Sequence, residues 1–331
     1  MQNITRRRAL ALGVALAAPA LIPGFAWAQA AYPNRPITII VPFAAGGPTD
    51  VVTRLAAEVM ARDLGQPVVV ENVGGAGGTL GAQRVAQARP DGYTLLLHHI
   101  GMGTTPSLYR RLAYDAVNGF EPIGLVTEVP MTIIAKKDFP ANNLAELIQV
   151  MRERKQDINL ANAGVGAASH ICGLLLQSAV QTQVTTVPYR GTGPAMTDLI
   201  GGTVDLMCDQ TTNTTQQINS GAVKAYAVTT ATRNAALPNL PTAAEAGLPG
   251  FEVSVWHGLY APKGTDSAIV NRLSRALQVA LRDERLVARF AELGTAPVTQ
   301  EQATPEYHRR YWQADIAKWR PIIQAAGQYA D

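Results

Sequence analysis

Short apolar runs alternate with glycine-rich turns and amphipathic stretches along most of the chain. The first run, Ile37–Val41, is continuously β-branched and is typical of a strand buried on both faces of a parallel sheet. A helix is predicted over 51–63, with Pro48 suited to its first turn and Gly65 to its C-terminal stop. The turn at 42–50 presents backbone N–H groups at a helix N-terminus, so the pattern predicts an anion site there.

The same order of strand, glycine-rich turn and helix repeats. Strands are predicted over 68–70 and 93–98, with a glycine-rich turn at 74–81 and a helix over 82–88 between them. Such repeats indicate right-handed βαβ crossovers and an open parallel sheet. Ligands gather beyond the carboxyl ends of the strands in these sheets, which predicts a shared rim formed by residues 43–49, 74–79 and 98–103.

The remainder of the chain predicts a second group of elements and three C-terminal helices. Strands are expected at 131–135, 159–162, 184–188, 204–208, 225–228 and 253–260. Helices are expected over 143–154, 267–282, 284–293 and 304–326, and two further helices are expected to end at 179 and at 200. The polar run 211–215 is expected to be a solvated loop. Two passages between the groups, near 127–130 and 250–256, predict two lobes with a cleft between them. Lobe 1 comprises 31–129 and 255–331, and lobe 2 comprises 130–254.

The N-terminus has the features of an export signal. Arg6, Arg7 and Arg8 precede an apolar stretch over 9–25, and small residues follow at Ala28 and Ala30. Internal glycines and prolines make that stretch a poor membrane-spanning helix. Residues 1–30 are therefore predicted to be a signal peptide cleaved after Ala28 or Ala30, which places the protein in the periplasm. The twin-arginine and general secretory routes both stay open.

Charge and cysteine content narrow the classes of function. The chain has 28 Lys and Arg against 25 Asp and Glu, and the leader holds three of the arginines, so the mature part carries 25 of each. No basic patch interleaved with aromatics appears, which argues against nucleic-acid binding. Cys172 and Cys208 could pair in an oxidising compartment, but their apolar surroundings favour two unpaired buried thiols, and their spacing does not indicate a metal site.

The sequence lacks residues that the known nucleotide-binding and catalytic motifs require. The turn ends in Gly47-Pro48-Thr49 without the lysine of a Walker loop, and the glycines at 75–80 do not complete a dinucleotide fingerprint. His170 and Cys172 are two apart on a predicted helix and so point away from each other, and no nucleophile elbow or zinc-helix signature appears. The sequence therefore predicts a binding protein without catalytic residues, metal or cofactor, with a secreted hydrolase as the remote alternative.

Several motifs resemble the Bug family of periplasmic solute receptors, the binding component of tripartite tricarboxylate transporters. The matching segments are 42–50, 65–72, 90–96, 164–166 with His170, 187–191, 198–199, 201–205, 237–238 and 241–242. The resemblance covers the whole mature chain in order. It implies an α/β, two-lobed periplasmic-binding-protein (type II, Venus-flytrap) fold with two crossovers. It also implies a monomer that hands a small carboxylate to membrane permease subunits.

In this family two glycine-containing loops hold the carboxylate through backbone N–H groups and ordered waters. Carried onto this chain, the resemblance and the rim together give these candidate ligand-binding residues: Phe43, Ala44, Ala45, Gly46, Gly47, Thr49, Asp50, His99, Ala163, Gly164, Val165, Gly166, Ala167, Ser169, His170, Arg190, Asp209 and Trp256. Many relatives carry Ser or Thr where this chain has Ala167, so the hydroxyl contact would fall to Ser169 or to the backbone.

Some of these residues have alternative roles. Strand alternation directs only one of His98 and His99 toward the cleft, where a histidine would make affinity pH-dependent. Arg190 could form an ion pair as well as contact the ligand. Asp209 could anchor a loop or a water molecule. Trp256 could belong to the core, to the hinge or to a wall of the cleft.

The ligand class stays broad at this stage. C4–C6 dicarboxylates, acidic amino acids, tricarboxylates and aromatic carboxylates all fit, and the histidines, Trp256 and the threonine run favour a larger or aromatic diacid. A periplasmic sensor for a membrane receptor kinase is the alternative function.

Overall fold

The computed structural model describes residues 32–327 and 329–330. The predicted leader and its cleavage site lie outside the described residues. Within the described part, no helix is both long enough and apolar enough to cross a membrane.

In the part of the chain that the structure describes, ten strands form a mixed sheet. They are β1 (Ile37–Val41), β2 (Val68–Asn72), β3 (Thr94–His99), β4 (Phe120–Lys136), β5 (Asn159–Asn162), β6 (Thr185–Pro188), β7 (Leu206–Gln210), β8 (Val223–Val228), β9 (Ser254–Pro262) and β10 (Ala296–Pro297). Their order is β2-β1-β3-β9-β4-β7-β5-β6, with β8 and β10 also paired to β4. We call β1–β3, β9, β10 and the start of β4 the first sheet half, and β5–β8 with the end of β4 the second sheet half.

The expectation of a parallel sheet is right only at the two ends. Strands β2, β1 and β3 are parallel to one another, and so are β7, β5 and β6. Strand β9 is antiparallel to both β3 and β4, and β4 is antiparallel to β7 and β8. The reason is the path of the chain: β4 carries it from the first half to the second and β9 brings it back, so the two strands run in opposite directions.

The described residues form ten α-helices, which cover the sheet. They are α1 (Pro48–Leu64), α2 (Thr79–Ala86), α3 (Gly101–Leu108), α4 (Leu144–Arg154), α5 (Ala168–Ala179), α6 (Thr192–Ile200), α7 (Thr211–Asn219), α8 (Ser267–Ala280), α9 (Glu284–Glu292) and α10 (Pro305–Ala326). The predicted stop of α1 is confirmed, because Gly65 adopts φ 67° and its N–H reaches the carbonyl of Ala61. Helix α3 was not predicted from the sequence. The indole N–H of Trp312 in α10 anchors α3 by donating a hydrogen bond to the carbonyl of Met102 (2.9 Å).

The polar run 211–215 is helical and buried, so the expectation of a solvated loop is wrong. Tertiary partners satisfy several of its hydroxyls: Thr211 donates to the carbonyl of Gly294 (3.0 Å), and the Thr132 hydroxyl donates to that of Thr214 (2.9 Å). The Thr212 hydroxyl is buried without a hydrogen-bond partner among the described residues. Threonine loses its tendency to compete with helix formation when its hydroxyl finds a partner elsewhere in the fold.

The two cysteines are also joined, contrary to expectation. A disulfide links Cys172 in α5 to Cys208 in β7, with Cα atoms 6.0 Å apart. Both residues are fully buried, as their apolar surroundings predicted. Their pairing was missed because it depends on α5 packing directly on β7, a contact between elements that no local pattern encodes.

Candidate functional site

A small cavity lies between the two sheet halves, at the carboxyl ends of β1, β3, β5 and β7. Its lining residues are Phe43, Gly47, Pro48, Thr49, His99, Ala163, Ala168, Ser169, Thr192, Asp209 and Gln210. The volume of the cavity is about 10 Å³. That is roughly the minimum for one water molecule.

Four helices begin at this cavity. Their N-cap residues are Gly47 for α1, Ala167 for α5, Gly191 for α6 and Gln210 for α7, and within the described residues none of the four caps its helix through a side-chain hydrogen bond. Helices α4, α8, α9 and α10 are capped by the side chains of Asn143, Asp266, Asp283 and Thr304. The first N–H groups of a helix have no partner within the helix. Four such ends with their positive dipoles make the cavity favourable for an anion.

The first loop is held in place by a buried carboxylate. Asp50 accepts hydrogen bonds from the Gly46 N–H (3.0 Å), the Arg54 Nε (3.0 Å) and the Asn72 amide (2.9 Å). Burial raises the pKa of Asp50, but these hydrogen bonds outweigh it and leave the pKa below its usual value. The Asn72 amide also donates to the carbonyl of Phe43. The hydrogen bond between Gly46 and Asp50 thus fixes the shape of the loop. Because the Gly46 N–H donates to Asp50, it is not available to a ligand.

The second loop is organised in the same way. Its amides at Ala163, Gly164 and Gly166 donate to the Ser169 hydroxyl, the Asn162 side chain and the His170 Nδ1. The Ala167 N–H donates to the carbonyl of Gly164 (3.1 Å). These four amides are therefore committed to internal bonds, whereas the first-turn amides of the helices have no partner within their helices and can meet a ligand.

Hydrogen bonds across the cavity join each of the two loops to a segment on the opposite side. The Ala44 N–H donates to the carbonyl of Arg190 (2.9 Å), whose side chain is exposed. The Tyr109 hydroxyl contacts the carbonyls of Ala76 (2.8 Å) and Val165 (2.9 Å). These bonds connect segments of both sheet halves and hold the cavity shut.

His99 supplies a side-chain donor to the cavity. Its Nδ1 accepts a hydrogen bond from the Gly101 N–H (2.9 Å), and the Nδ1 of His98 accepts one from the His99 N–H (2.7 Å). These contacts assign the protons to the Nε2 atoms. Burial lowers the pKa of His99 to about 3, so the ring is a neutral donor. It stacks on Phe43 with ring centroids 4.6 Å apart.

A carboxyl group forms part of the opposite wall. Asp209 is the penultimate residue of β7, is 1% exposed, and accepts a hydrogen bond from the Asn213 amide (2.6 Å). Burial raises the pKa of Asp209 to about 6, against the opposing effect of hydrogen bonds from Asn213, the Gln210 N–H and Thr192. Beside it, the Gln210 Oε1 is buried and has no hydrogen-bond partner among the described residues.

The structure brings a subset of the candidate residues to the cavity: Phe43, Gly47, Thr49, His99, Ala163, Ser169 and Asp209 line it. It places the others outside the lining: Ala44, Ala45, Gly46, Asp50, Gly164, Val165, Gly166, Ala167, His170, Arg190 and Trp256. Sequence reasoning missed Pro48, Ala168, Thr192 and Gln210. The glycines at 191 and 193 preceding a helix were the available signal for Thr192, since they repeat the pattern of the first turn.

Trp256 lies elsewhere. Its indole N–H donates to Asp315 (3.0 Å), and together with Tyr311 and Trp319 it lines a separate cavity between α10 and the end of α5. Among the described residues, no group of three or more His, Cys, Asp or Glu side chains could hold a metal ion.

Comparisons with known proteins place this arrangement in a family. Residues 52–328 match the model of the tripartite tricarboxylate transporter family receptor, TctC. A UPF0065 protein from the TAR-I ttuE-ttuC' intergenic region of Agrobacterium vitis is 51% identical over 308 residues, covering 93% of this chain and 89% of the relative.

Solved structures agree with the sequence match. The periplasmic binding protein BugD is 52% identical with a TM-score of 0.88, covering 91% of this chain and 100% of BugD. MatC from Rhodopseudomonas palustris, solved with bound malate, is 42% identical with a TM-score of 0.86, covering 88% of this chain and 100% of MatC. The predicted two-lobed α/β periplasmic-binding-protein fold is confirmed by these likenesses. The chain belongs to the tripartite tricarboxylate transporter receptor family, the Bug-type periplasmic solute receptors, which bind solutes and are not enzymes.

Proposed function

We propose that this chain is a periplasmic receptor that captures a small dicarboxylate in the cavity between its sheet halves and delivers it to the permease of a tripartite tricarboxylate transporter. The observation that carries the proposal is the meeting of four helix N-termini without side-chain caps at one cavity. Desolvated N–H groups and helix dipoles stabilise a carboxylate without a cationic partner. The malate bound by MatC supports this ligand class.

The proposal includes a hinged motion of two lobes, 31–129 with 255–331 and 130–254. Room for about one water molecule is too little for a dicarboxylate, so the loops must part to admit it. Strands β4 and β9 connect the lobes, and the register of their pairing shifts between Leu125 and Thr127. A ligand that binds both lobes stabilises the closed state, which is a population shift driven by contacts made only there. Cleavage of the leader would release the receptor into the periplasm.

Titration calorimetry with the mature protein tests this function. Malate, succinate and citrate are compared with a neutral sugar, and we expect saturable binding of at least one carboxylate near the micromolar range, about 8 kcal/mol. A Ser169→Asp substitution adds a negative charge at the α5 N-terminus, within the cavity, and should weaken that binding at least about tenfold.

Asn143→Asp is the matched control, because it adds the same charge at the N-cap of α4, away from the cavity, and keeps a capping acceptor. Equal loss of affinity in both variants would contradict the assigned site. Binding of the sugar with no response to any carboxylate would contradict the carboxylate function.

A further inference from the structure

The cavity that favours an anion also contains an acidic side chain. Asp209 lines it together with Thr49, His99, Ser169 and Thr192, all of which present donors. A carboxylate placed among such donors opposes the binding of a second carboxylate next to it, because like charges at short range repel. The position of Asp209 therefore requires a reason that anion binding alone does not provide.

The contacts of Asp209 fix it as an acceptor. Its carboxylate receives hydrogen bonds from the Asn213 amide, the Thr192 hydroxyl and the Gln210 N–H. Its carbonyl receives one from the Thr132 hydroxyl (3.2 Å), which anchors the end of β7 to β4. Donors directed at a carboxyl group favour its ionised form. Burial raises the pKa to about 6, so Asp209 is ionised near neutral pH.

The cavity thus combines N–H donors from the helix N-termini and His99 with one ionised acceptor, Asp209. An ionised carboxylate has about four lone-pair sites, so Asp209 can accept more hydrogen bonds than the protein supplies. A ligand that fills the cavity with carboxylates and hydrocarbon alone would place no further donor at this carboxylate and would exclude water from it. A ligand with its own donor at that point satisfies it.

We propose that Asp209 makes the receptor selective for short dicarboxylates that carry a hydroxyl or ammonium donor on the carbon backbone, over acids of the same length that lack one. This inference rests on the proposed dicarboxylate function. A hydrogen bond to a charged acceptor is stronger than one between neutral groups, so we expect the added donor to improve affinity about ten- to a hundredfold.

A matched ligand series tests the proposal on the unmodified protein. Succinate, malate and aspartate share a four-carbon dicarboxylate frame and differ only at one carbon, which bears hydrogen, hydroxyl or ammonium. Calorimetry near pH 7.5, where Asp209 is ionised, should give dissociation constants for malate or aspartate about ten- to a hundredfold below that for succinate. Succinate binding within twofold of both others would overturn the inference while leaving the carboxylate function standing. Failure of all three to bind would overturn both.

Asp209→Asn then assigns the selectivity to this residue. The amide keeps the size of the side chain but removes the charge, so the ratio of aspartate affinity to succinate affinity should fall about tenfold or more. Asp157→Asn is the control, since Asp157 is an exposed carboxylate of the second sheet half. Thermal unfolding verifies that both variants are folded. Should Asp209→Asn not fold, Thr192→Val removes one of the donors that orient Asp209, and unchanged selectivity in a folded Thr192→Val variant would overturn the assignment.

Discussion

The backbone N–H of Ala44 donates a hydrogen bond to the carbonyl of Arg190 across the cavity, at 2.9 Å. This contact brings the first glycine-rich loop against the turn that precedes α6. The approach is close enough that side chains are excluded: a Cβ at Gly74 would lie 2.7 Å from the Arg190 carbonyl oxygen, and one at Gly191 would lie 2.8 Å from the Ala44 nitrogen. The closed arrangement therefore depends on glycine at several facing positions.

Gly193→Ala tests whether this closed arrangement is the ligand-binding state. A Cβ at Gly193 would lie 2.7 Å from the Ala45 carbonyl oxygen and 3.2 Å from the Gly47 nitrogen. Because these contacts exist only when the loops meet, closure should be impaired and ligand affinity should fall at least about tenfold, or about 1.4 kcal/mol. Calorimetry measures the affinity, and small-angle scattering measures the compaction on ligand addition.

Gly201→Ala is the control at the other end of the same helix. A Cβ there would have its nearest contact 3.3 Å away, at the Thr197 carbonyl oxygen, on the same side of the cavity. Affinity should stay within about twofold of the parent value. Ligand affinity in Gly193→Ala equal to that of the parent would mean that the two loops are farther apart in the bound state than in this structure.

Local patterns predicted this molecule well wherever one segment determines its own conformation. The strand Ile37–Val41, the helix that follows it and its stop at Gly65 came directly from β-branched runs, Pro48 and a glycine with positive φ. The sequence did not determine which of His98 and His99 faces the cleft. In the structure His99 lines the cavity and His98 does not.

The features that sequence missed are all set by contacts between distant segments. Strand β9 runs antiparallel to β4 because the chain must return to the first half, and α7 forms because Gly294 and Thr132 satisfy some of its threonines. Thr192 and Gln210 reach the cavity because α6 and α7 begin there, which follows from the sheet order and not from their own composition. Such long-range placement has no signature in a single sequence.

His99 should not make ligand binding pH-dependent, contrary to what a cleft histidine suggested. Burial lowers its pKa to about 3, and burial also lowers the pKa values of His98 and His257 next to it. All three rings therefore stay neutral between about pH 8 and pH 6. In the Asp209→Asn background, which removes the nearby carboxyl titration, succinate affinity should be constant over that range. An increase of about tenfold toward pH 6 would show that His99 becomes an imidazolium and attracts the anion.

Removing the disulfide should weaken both the fold and the site. It joins α5, whose first turn lines the cavity, to β7, which contains Asp209, and it closes a loop with a sequence separation of 36. In the chain-entropy account, such a loop contributes about 3–4 kcal/mol to the free energy of unfolding. The double variant Cys172→Ala, Cys208→Ala should lose about 2–4 kcal/mol in urea unfolding and bind ligand more weakly. A thiol assay on unfolded parent protein supplies the control, and two free thiols per chain would contradict the pairing.

Asp315 should make the protein more stable as the pH falls below neutrality. Burial raises its pKa to about 6, although the indole N–H groups of Trp256 and Trp319 and the charge of Lys318 oppose the shift. The unfolded carboxyl has the lower pKa, so between about pH 6 and pH 4 the native state binds the extra proton. The destabilisation by Asp315 is thus complete above pH 6 and is relieved as the pH falls toward 4.

Urea unfolding of the parent and of Asp315→Asn at pH 7 and pH 5 measures this effect. The substitution disturbs two indole hydrogen bonds at either pH, so only the pH-dependent part of the difference is informative. Lowering the pH should favour the parent over the variant by about 1–2 kcal/mol. Carboxyl groups with lowered pKa values, such as Glu121, act in the opposite direction but equally in both proteins, so they cancel in the comparison. A difference that is independent of pH would show that Asp315 is ionised throughout and that its two indole donors outweigh its burial.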